Sequence, residues 1–385
     1  MSSPVLRRIV VFCLPGIGDA ILFTPALTLL RQAYPSAHIA VITMFHGTAE
    51  ILAANPDLDE VHHFDFFNSS AWASLRYLRQ LRRDRYDLSL MCFPSNRFEY
   101  NCVNRFVGRR WRAAHRYHRH SWRNGWFLNN IVVRESGAIH NVTENLRLLR
   151  AIIARVGSEI PAADLPVDAE LTLKIRVPPD DARYADEFLT GHRVARADLL
   201  FGFHTYSSTF KNMHRKCWDR QNFADLIAQL HSRYPGARFL LFSGPHDEEV
   251  TKFIIARVDG RVIPVRETNL RRAAAIMQRC RLFITNDSGP MHLAAALRVP
   301  VVALFGPTDA RRLHPWSQVY TVVRRDLPCS PCFQYSPAPL SCPANLDYAC
   351  MREITQAEVQ QAVANLLAQT SPLNTGPGQP IYPTA

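Results

Sequence analysis

The sequence predicts an α/β protein with two Rossmann-like, doubly wound domains that face each other across a cleft. The chain has 385 residues, 47% of them hydrophobic, and this length favours two domains with large cores. Short β-branched segments alternate with helical patterns, which is typical of parallel sheets covered by helices on both faces. The alternation stops after residue 157 and restarts near residue 198, so each half predicts its own sheet.

The first half begins with the strand "RIVVFC" at 8–13 and a helix from Asp19 to Ala33. Further strands are predicted at 38–43, 60–64 and 87–93, and further helices up to 54, at 71–83 and at 141–157. The Pro- and Ala-containing segment 158–168 predicts a connector, because such composition interrupts both helices and strands. We therefore expect an N-terminal domain at 1–165.

The second half repeats the alternation. Strands are predicted at 198–204, 238–244, 261–265, 281–285 and 300–306, and helices at 219–233, up to 258, at 269–279 and at 288–297. We expect this domain to span 175–368, with a Cys-rich loop at 326–351. The Pro/Gly-rich residues 369–385 predict a flexible tail.

The net charge of +12 comes mainly from arginine, which is dense in "RRWRAAHRYHRHSWR" at 109–123. Basic patches with interleaved aromatic residues can bind nucleic acid, anionic membrane surfaces or phosphorylated substrates, or can simply be solvated. Because no nucleic-acid motif accompanies the patch, we expect no nucleic-acid partner. A phosphorylated or lipid-bound acceptor is the functional interpretation that fits better.

The apolar stretch 9–30 resembles a membrane span or signal peptide only superficially, since Pro15, Gly16, Gly18, Asp19 and Pro25 interrupt it. A span needs about 20 uninterrupted apolar residues, and a signal peptide needs a small-residue cleavage site. We therefore expect a cytoplasmic location, and scattered cysteines agree with a reducing compartment.

Functional residues are expected in the loops that follow the strands, because ligands of doubly wound sheets bind at the carboxyl ends of the strands. The first such loop, "PGIGDA", contains Gly18 and Asp19. Its glycines match a dinucleotide fingerprint only weakly, and Asp19 could simply cap the following helix. The loop alone does not distinguish a ligand site from a helix cap.

The next two loops contain side chains suited to a nucleotide. Thr205, Lys211 and Lys216 lie in "TYSSTFKNMHRKCW", where hydroxyls and fixed positive charge could bind an anion. Asp247 and Glu248 lie in "SGPHDEE", where a carboxylate could accept hydrogen bonds from ribose hydroxyls. Both loops could also be ordinary polar surface.

The loop "TNDSGPMH" combines Asp287, Ser288, Gly289 and His292 at the start of a predicted helix. Free backbone N–H groups and the helix dipole make such a terminus an anion site, and Pro290 is tolerated in the first turn. Capping by Asp287 and Ser288 and a structural His292 are the alternative. The loop residues Gly306, Pro307 and Thr308 are expected beside this turn.

The segments "LPGIGDAILFTPALTLLRQAYP" and "TNDSGPMHLAAALRVPVVALFGPTD" together closely resemble glycosyltransferase family 9, the ADP-heptose:lipopolysaccharide heptosyltransferases. The similarity extends over roughly residues 7–367. It implies a GT-B fold in which the first domain binds the acceptor and the second binds the nucleotide-sugar. It also implies inverting transfer that requires no cofactor or catalytic metal.

The resemblance also implies roles for individual residues. Asp19 matches the general base, and Lys216 matches a lysine that neutralises the donor diphosphate, although Lys211 remains an alternative. Thr205 falls near the family's hydroxyl donors, and the candidates for the residue that binds the donor ribose are His246, Asp247 and Glu248. The residues that match the donor-binding turn are Asp287, Ser288, Gly289 and His292. Because Asp19 lies near a helix N-terminus, we expect a low pKa and an ionised carboxylate at neutral pH.

Four cysteines are clustered in "CSPCFQYSPAPLSCPANLDYAC", namely Cys329, Cys332, Cys342 and Cys350. Four thiolates on one loop could bind a structural zinc or iron, and free thiols or disulfides formed after isolation are the alternative. The resemblance supports a metal, because a comparable cluster in the related autotransporter heptosyltransferases binds iron.

The leading hypothesis is transfer of heptose from ADP-heptose to an anionic glycolipid of the lipopolysaccharide inner core, at the cytoplasmic face of the inner membrane. The alternatives are a glycosyltransferase of the same fold with another nucleotide-sugar or a protein acceptor, and a non-catalytic nucleotide-binding module. A nicotinamide oxidoreductase is disfavoured by the incomplete glycine fingerprint.

Overall fold

The structure is a computed structural model that describes residues 6–118, 121–244, 247–333, 335 and 339–370. These residues form two six-stranded parallel sheets with helices on both faces, which confirms the predicted α/β architecture. The predicted tail lies outside the described residues except for 369 and 370. No helix in the described part of the chain is long and apolar enough to cross a membrane.

The first sheet has the strand order β3-β2-β1-β4-β5-β6. Its strands are β1 (Arg8–Cys13), β2 (His38–Thr43), β3 (Glu60–His63), β4 (Leu88–Met91), β5 (Trp111–Arg116) and β6 (Ile131–Arg134). Its helices are α1 (Ile17–Ala33), α2 (His46–Leu52), α3 (Ala71–Arg83), α4 (Phe98–Val107) and α5 (Asn141–Val156). In the parallel register, Val10 of β1 lies beside Ala40 and Ser89.

The two faces of this sheet are covered by different helices, because alternate strand residues point in opposite directions. Ile9 and Val11 contribute to a core that includes residues of α1 and α5. Val10 and Phe12 contribute to a second core with Leu81 of α3 and other residues of α3 and α4. Helices α3 and α4 therefore share one face of the sheet.

The second sheet has the order β12-β11-β10-β7-β8-β9, which reproduces the topology of the first sheet. Its strands are β7 (Leu200–His204), β8 (Arg238–Phe242), β9 (Val262–Val265), β10 (Leu282–Asn286), β11 (Val301–Phe305) and β12 (Tyr320–Arg324). Its helices are α6 (Pro179–Gly191), α7 (Arg220–Arg233), α8 (Glu248–Arg257), α9 (Leu270–Met277), α10 (Gly289–Ala296), α11 (Ala310–Leu313), α12 (Ala349–Arg352) and α13 (Gln356–Gln369).

Short 3-10 helices occur in the connections. They are Ser121–Asn124, Trp126–Leu128, Ala162–Asp164, Asp168–Glu170 and Phe210–Lys216. The last of these follows β7 and has a left-handed backbone at Lys211 and Asn212, with φ of 54° and 60°. Both residues therefore turn the chain sharply within the loop that the sequence identifies as an anion site.

The two halves meet where the N-terminal ends of α1 and α10 face each other. The contact requires glycine on both sides. A Cβ on Gly289 would lie 2.5 Å from Cγ2 of Ile17, and a Cβ on Gly18 would lie 2.9 Å from Cδ2 of His292. The two glycines therefore allow the helix starts of the two halves to approach each other closely.

Candidate functional site

The candidate site is assembled from the four loops that flank the two switch points in strand order. In the first sheet the order reverses between β1 and β4, and in the second it reverses between β7 and β10. The segments that follow these four strands supply Asp19 in the first turn of α1, Arg97 just before α4, Lys216 at the end of a 3-10 helix, and Asp287 just before α10. Crevices at switch points are the usual ligand sites of doubly wound sheets, and here the two crevices adjoin.

The first cavity has a volume of about 450 Å³ and lies between the two halves. The residues that line it from the first half are Gly16, Ile17, Gly18 and Asp19. Those from the second half include His204, Tyr206, Ser207, Ser208, Met213, Lys216, Gly244, Asp247, Asp287, Ser288, Gly289, Pro290, His292 and Thr308. A volume of this size can accommodate a small-molecule ligand.

One wall of the first cavity contains a nearly buried ion pair between Lys216 and Asp287. Nζ of Lys216 lies 2.7 Å from Oδ2 of Asp287, and the two side chains are 11% and 5% exposed. Burial opposes ionisation of Asp287, but the charge and hydrogen bond of Lys216 hold the pKa of this carboxyl below its usual value. The Asp287 carboxyl is therefore ionised, and it holds the Lys216 side chain beside the N-terminus of α10.

Asp19 lies opposite this pair, in the first turn of α1. Burial raises its pKa from 3.8 to about 7, the nearby Lys216 lowers it, and the charge of Asp287 raises it. The expectation of a low pKa from the helix terminus is thus wrong, because the loss of water around the carboxyl outweighs the helix dipole. A carboxylate with a pKa near neutrality is a stronger base than an ordinary aspartate.

Two histidines in the cavity wall are held in the neutral form. Burial lowers the pKa of His292 to about 4 and that of His204 to about 4. Among the described atoms, Nδ1 of His292 is buried without a hydrogen-bond partner. Nδ1 of His204 lies 3.3 Å from Oγ of Ser288, which helps to position the start of α10. Neutral imidazoles can hydrogen-bond to a ligand without adding charge.

The structure brings most of the predicted donor-site residues together. Those in the cavity wall are Gly18, Asp19, Lys216, Asp247, Asp287, Ser288, Gly289, His292 and Thr308. Those outside this wall are Thr205, Lys211, Glu248, Gly306 and Pro307. Of the three ribose candidates, His246 lies outside the described residues, Asp247 is buried in the wall, and Glu248 is exposed and pairs with Lys252 at 2.8 Å.

A second cavity of about 500 Å³ adjoins the first, and Asp19 lines both. Its walls come mainly from the first half, and its charged residues besides Asp19 are Arg97 and Lys211. Burial lowers the pKa of Lys211, and the charge of Arg97 lowers it further. Lys211 lines the second cavity and not the first.

Aromatic rings form part of the second cavity. The ring centroid of Phe67 lies 6.4 Å from that of Phe45 and 6.2 Å from that of Phe210. The guanidinium of Arg97 lies 5.5 Å from the Phe67 centroid, and Nζ of Lys211 lies 5.5 Å from the Phe210 centroid. Cations above aromatic faces can bind the charged and apolar parts of a ligand together.

Phe333 and Tyr335, from the Cys-rich loop, line both cavities. Tyr335 crosses to the first half, where its hydroxyl accepts a hydrogen bond of 2.9 Å from Nδ2 of Asn141. Its carbonyl accepts another of 2.8 Å from Nδ2 of Asn96. Neither aromatic residue was predicted as part of the site, because the cysteines were the only evident signal in this loop.

Gly306 and Pro307 anchor the Cys-rich loop. The carbonyl of Gly306 accepts a hydrogen bond from the Ser330 hydroxyl, and that of Pro307 accepts from the backbone N–H groups of Cys332 and Phe333. These two residues were predicted as part of the donor site. In the structure they connect the loop to the end of β11.

The four cysteines of this loop share one neighbourhood. Burial, together with the charges of Cys332, Cys329 and Cys342, raises the pKa of Cys350 to about 11. No group of three or more His, Cys, Asp or Glu side chains among the described residues is arranged to bind a metal ion. The thiols are thus neighbours without forming a closed ligand set.

Known proteins resemble the chain in both sequence and fold. Lipopolysaccharide heptosyltransferase 3 of Escherichia coli is 26% identical over 313 residues, which is 78% of this chain and 84% of that protein. The crystal structure of the glycosyl transferase family 9 from Veillonella parvula DSM 2008 matches with a TM-score of 0.73 at 21% identity, covering 96% of this chain and 100% of that one.

E. coli ADP-heptose lps heptosyltransferase II matches with a TM-score of 0.70 at 23% identity, covering 94% of this chain and 99% of that one. The two structural matches confirm the GT-B fold class. The model of the family described as glycosyltransferase family 9 (heptosyltransferase) matches residues 74–339, which is more than half of the chain. The chain is therefore a glycosyltransferase and belongs to glycosyltransferase family 9.

Proposed function

We propose that this enzyme transfers heptose from ADP-heptose to an anionic sugar of the lipopolysaccharide inner core, with inversion at the anomeric carbon. The first cavity would bind the donor and the second the acceptor. Residues 1–165 would then act as the acceptor domain and residues 175–368 as the donor domain. The names of the relatives support the substrate class, and the geometry supports the division of roles.

The position of Asp19 at the junction of the two cavities is the observation that supports this proposal most strongly. A transferase that inverts configuration in one step needs a base between the acceptor hydroxyl and the donor. Asp19 satisfies this requirement, and burial gives it a pKa suited to proton abstraction near neutral pH.

The reaction would proceed by a single displacement. Asp19 would accept the proton of the acceptor hydroxyl while that oxygen forms a bond to the anomeric carbon. The bond between this carbon and the diphosphate oxygen would break, and ADP would leave with the electron pair. Lys216 and the free N–H groups at the start of α10 would stabilise the developing negative charge, each worth about 3 kcal/mol.

The acceptor assignment depends on charge and shape. Arg97 and Lys211 place two cations in the second cavity, and phosphate or carboxylate groups are their natural partners. Phe67 and Phe210 would contact the apolar faces of sugar rings beside these charges. The proposed acceptor is therefore a sugar that carries an acidic group.

A comparison of nucleotides and an Asp19 variant tests the proposal. ADP-heptose and ADP should raise the melting temperature more than UDP-sugars, GDP-sugars or NAD, and Asp19→Asn should preserve this shift while losing turnover. Product analysis by NMR should show the opposite anomeric configuration to the donor. A preference for UDP or NAD, retained configuration, or near-normal turnover of Asp19→Asn would each contradict the proposal.

We propose in addition that Cys329, Cys332, Cys342 and Cys350 bind a structural zinc or iron. Four thiols on one loop are a suitable donor set, and backbone N–H groups of Tyr348, Leu346 and Ala344 lower the pKa of Cys342, as expected for a thiolate ligand. The metal would hold the loop that carries Phe333 and Tyr335, and it has no part in the transfer step.

Metal analysis of protein purified under reducing conditions tests this assignment. About one equivalent of zinc or iron is expected in the parent protein and little in Cys342→Ser. The variant should also bind ADP normally, because the loop would support the cavity walls and not the diphosphate. A parent protein that is fully active without metal would contradict the assignment.

A further inference from the structure

The helices on the outer surface of the first sheet carry charged and aromatic residues that have no role in the proposed transfer reaction. Helices α3 and α4 cover this face, and the short helices Ser121–Asn124 and Trp126–Leu128 pack beside α4. These four segments contain six arginines and one acidic residue, Glu99. Positive charge is therefore concentrated on one side of the molecule.

Helix α3 exposes a stripe that combines this charge with an aromatic residue. Trp72, Arg76, Arg79 and Arg83 are exposed, and their spacing places them along one face of the helix. The Trp72 side chain is 76% exposed, the largest value among the exposed large hydrophobic residues of the described chain. One face of the helix is buried in the protein core, and this second, amphipathic face is exposed to solvent in the described part of the chain.

The short helices beside α4 also combine exposed aromatic residues with arginine. Trp122 is 69% exposed and Phe127 is 56% exposed, and Arg123 lies between them in the chain. The ring of Phe98, at the start of α4, lies against Gly125 between the two short helices. Exposed tryptophan and phenylalanine beside arginine are typical of surfaces that lie in the headgroup region of a bilayer.

We infer that this outer face, defined by Trp72, Arg76, Arg79, Arg83 and Trp122, docks on an anionic phospholipid bilayer. The arginines would interact with lipid phosphates, and the indole rings would insert at the interface between headgroups and acyl chains. The inference deepens the proposed function and rests on it for its purpose, since a glycolipid acceptor is presented at a membrane. The docking itself rests on charge and exposure.

The surface is continuous with the proposed acceptor cavity. Phe67 lines that cavity, and three residues later Ser70 caps α3 by accepting a hydrogen bond of 3.2 Å from the Ala73 N–H. Arg97, which also lines the cavity, immediately precedes α4. A bilayer bound to α3 and α4 would therefore lie next to the cavity that receives the sugar of an embedded glycolipid.

Vesicle co-sedimentation of the full chain tests the inference. Vesicles of phosphatidylcholine and phosphatidylglycerol should sediment the protein, whereas phosphatidylcholine alone should not, and added salt should weaken binding. The triple variant Arg76→Gln/Arg79→Gln/Arg83→Gln should partition onto the vesicles more weakly. The partition coefficient should fall by roughly two orders of magnitude, since each basic residue contributes about fivefold to it. Trp72→Ala should also weaken binding.

A matched control removes the same charge elsewhere. Arg196→Gln/Arg257→Gln/Arg261→Gln alters three exposed arginines of the second half and should bind vesicles nearly as well as the parent. An equal loss of vesicle binding in the two triple variants would overturn the inference, because it would indicate an effect of net charge alone. Absence of a preference for phosphatidylglycerol, or tighter binding to RNA than to these vesicles, would also overturn it.

Activity measurements separate this inference from the proposed function. The α3 variant should bind ADP normally and act normally on a detergent-dispersed acceptor, but it should lose activity on acceptor embedded in vesicles. Equal activity of the α3 variant and the parent on both forms would refute the docking role of α3. Lack of ADP binding in a parent protein that still sediments with vesicles would refute only the proposed function.

Discussion

Asp19 determines the pH dependence expected of this enzyme. Its pKa of about 7 means that the fraction of ionised carboxylate, the form that accepts a proton, increases as the pH rises through neutrality. We predict that kcat/KM increases with pH below about 7 and reaches a plateau above it. A profile that is flat between pH 5 and about 8 would contradict the assignment of Asp19 as the titrating base.

The raised pKa of Asp19 also predicts that Asp19→Asn, which should lose turnover, gains stability. Because the folded state binds the Asp19 proton more tightly than the unfolded state does, Asp19 reduces stability as the pH rises from 3.8 to about 7. The variant should therefore gain stability over this range relative to the parent, by about 2 kcal/mol after allowance for access to the cavity. Urea unfolding at several pH values measures the difference, which should be small at pH 4.

Lys216 and Lys211 should respond differently to the same substitution. Lys216→Gln removes a charge from the first cavity, so we expect ADP to bind about ten- to hundredfold more weakly. Lys211→Gln removes a charge from the second cavity, so ADP binding should remain within about twofold while the KM for the acceptor rises. Calorimetry with ADP and steady-state kinetics provide the two measurements.

At the scale of secondary-structure elements, the contact between α1 and α10 should be sensitive to a single methyl group. Gly289→Ala would place a Cβ 2.5 Å from Cγ2 of Ile17, and we expect about 1–3 kcal/mol of destabilisation and reduced turnover. Ile17→Ala should restore part of the stability lost in Gly289→Ala. Gly16→Ala is the matched control for the stability measurement, because a Cβ there meets no atom within 4 Å.

The elements with strong periodic patterns could be predicted from the sequence. Strands β1 and β2 and helix α3 begin and end at the predicted residues, because buried β-branched runs and an amphipathic pattern define them clearly. Helix α4 and strands β5 and β6 were missed, because arginines and aromatic residues obscure their patterns in the basic region. Strand β12 and helices α6, α11, α12 and α13 were also not predicted, and the boundaries of the remaining elements differ by a few residues, as expected where helix ends depend on caps.

The residues of the candidate site that could be predicted lie in the segments that connect each strand to the next helix or in the first turns of that helix. Asp19 and Asp287 occupy such positions, and parallel topology alone brings them near the cleft. Tyr335 does not directly follow a strand. A hydrogen bond from Asn141 helps to hold it at the site, and no local sequence pattern specifies this contact. The raised pKa of Asp19 was also unpredictable, because it depends on burial in the folded protein and on the charges of Lys216 and Asp287 from the opposite half.

At the scale of the whole molecule, two sheets with the same strand order contribute different residues to one site. The first half supplies the proposed base and most of the acceptor cavity, and the second supplies the ion pair and the helix start for the diphosphate. Further contacts connect the halves away from the site. Nε2 of His140 lies 3.0 Å from the carbonyl oxygen of His314, and the Leu270 N–H donates to Glu50 at 3.1 Å.

The contacts of Tyr335 with the first half limit how new acceptor specificities could arise by exchange of halves between such enzymes. Because a loop of the second half forms part of the acceptor wall, the halves are not interchangeable modules. A chimaera with residues 1–165 of this chain and the second half of a relative should bind ADP but use this enzyme's acceptor poorly. Grafting residues 326–351 of this chain into the chimaera should recover acceptor use, which a competition assay with both parental acceptors would measure.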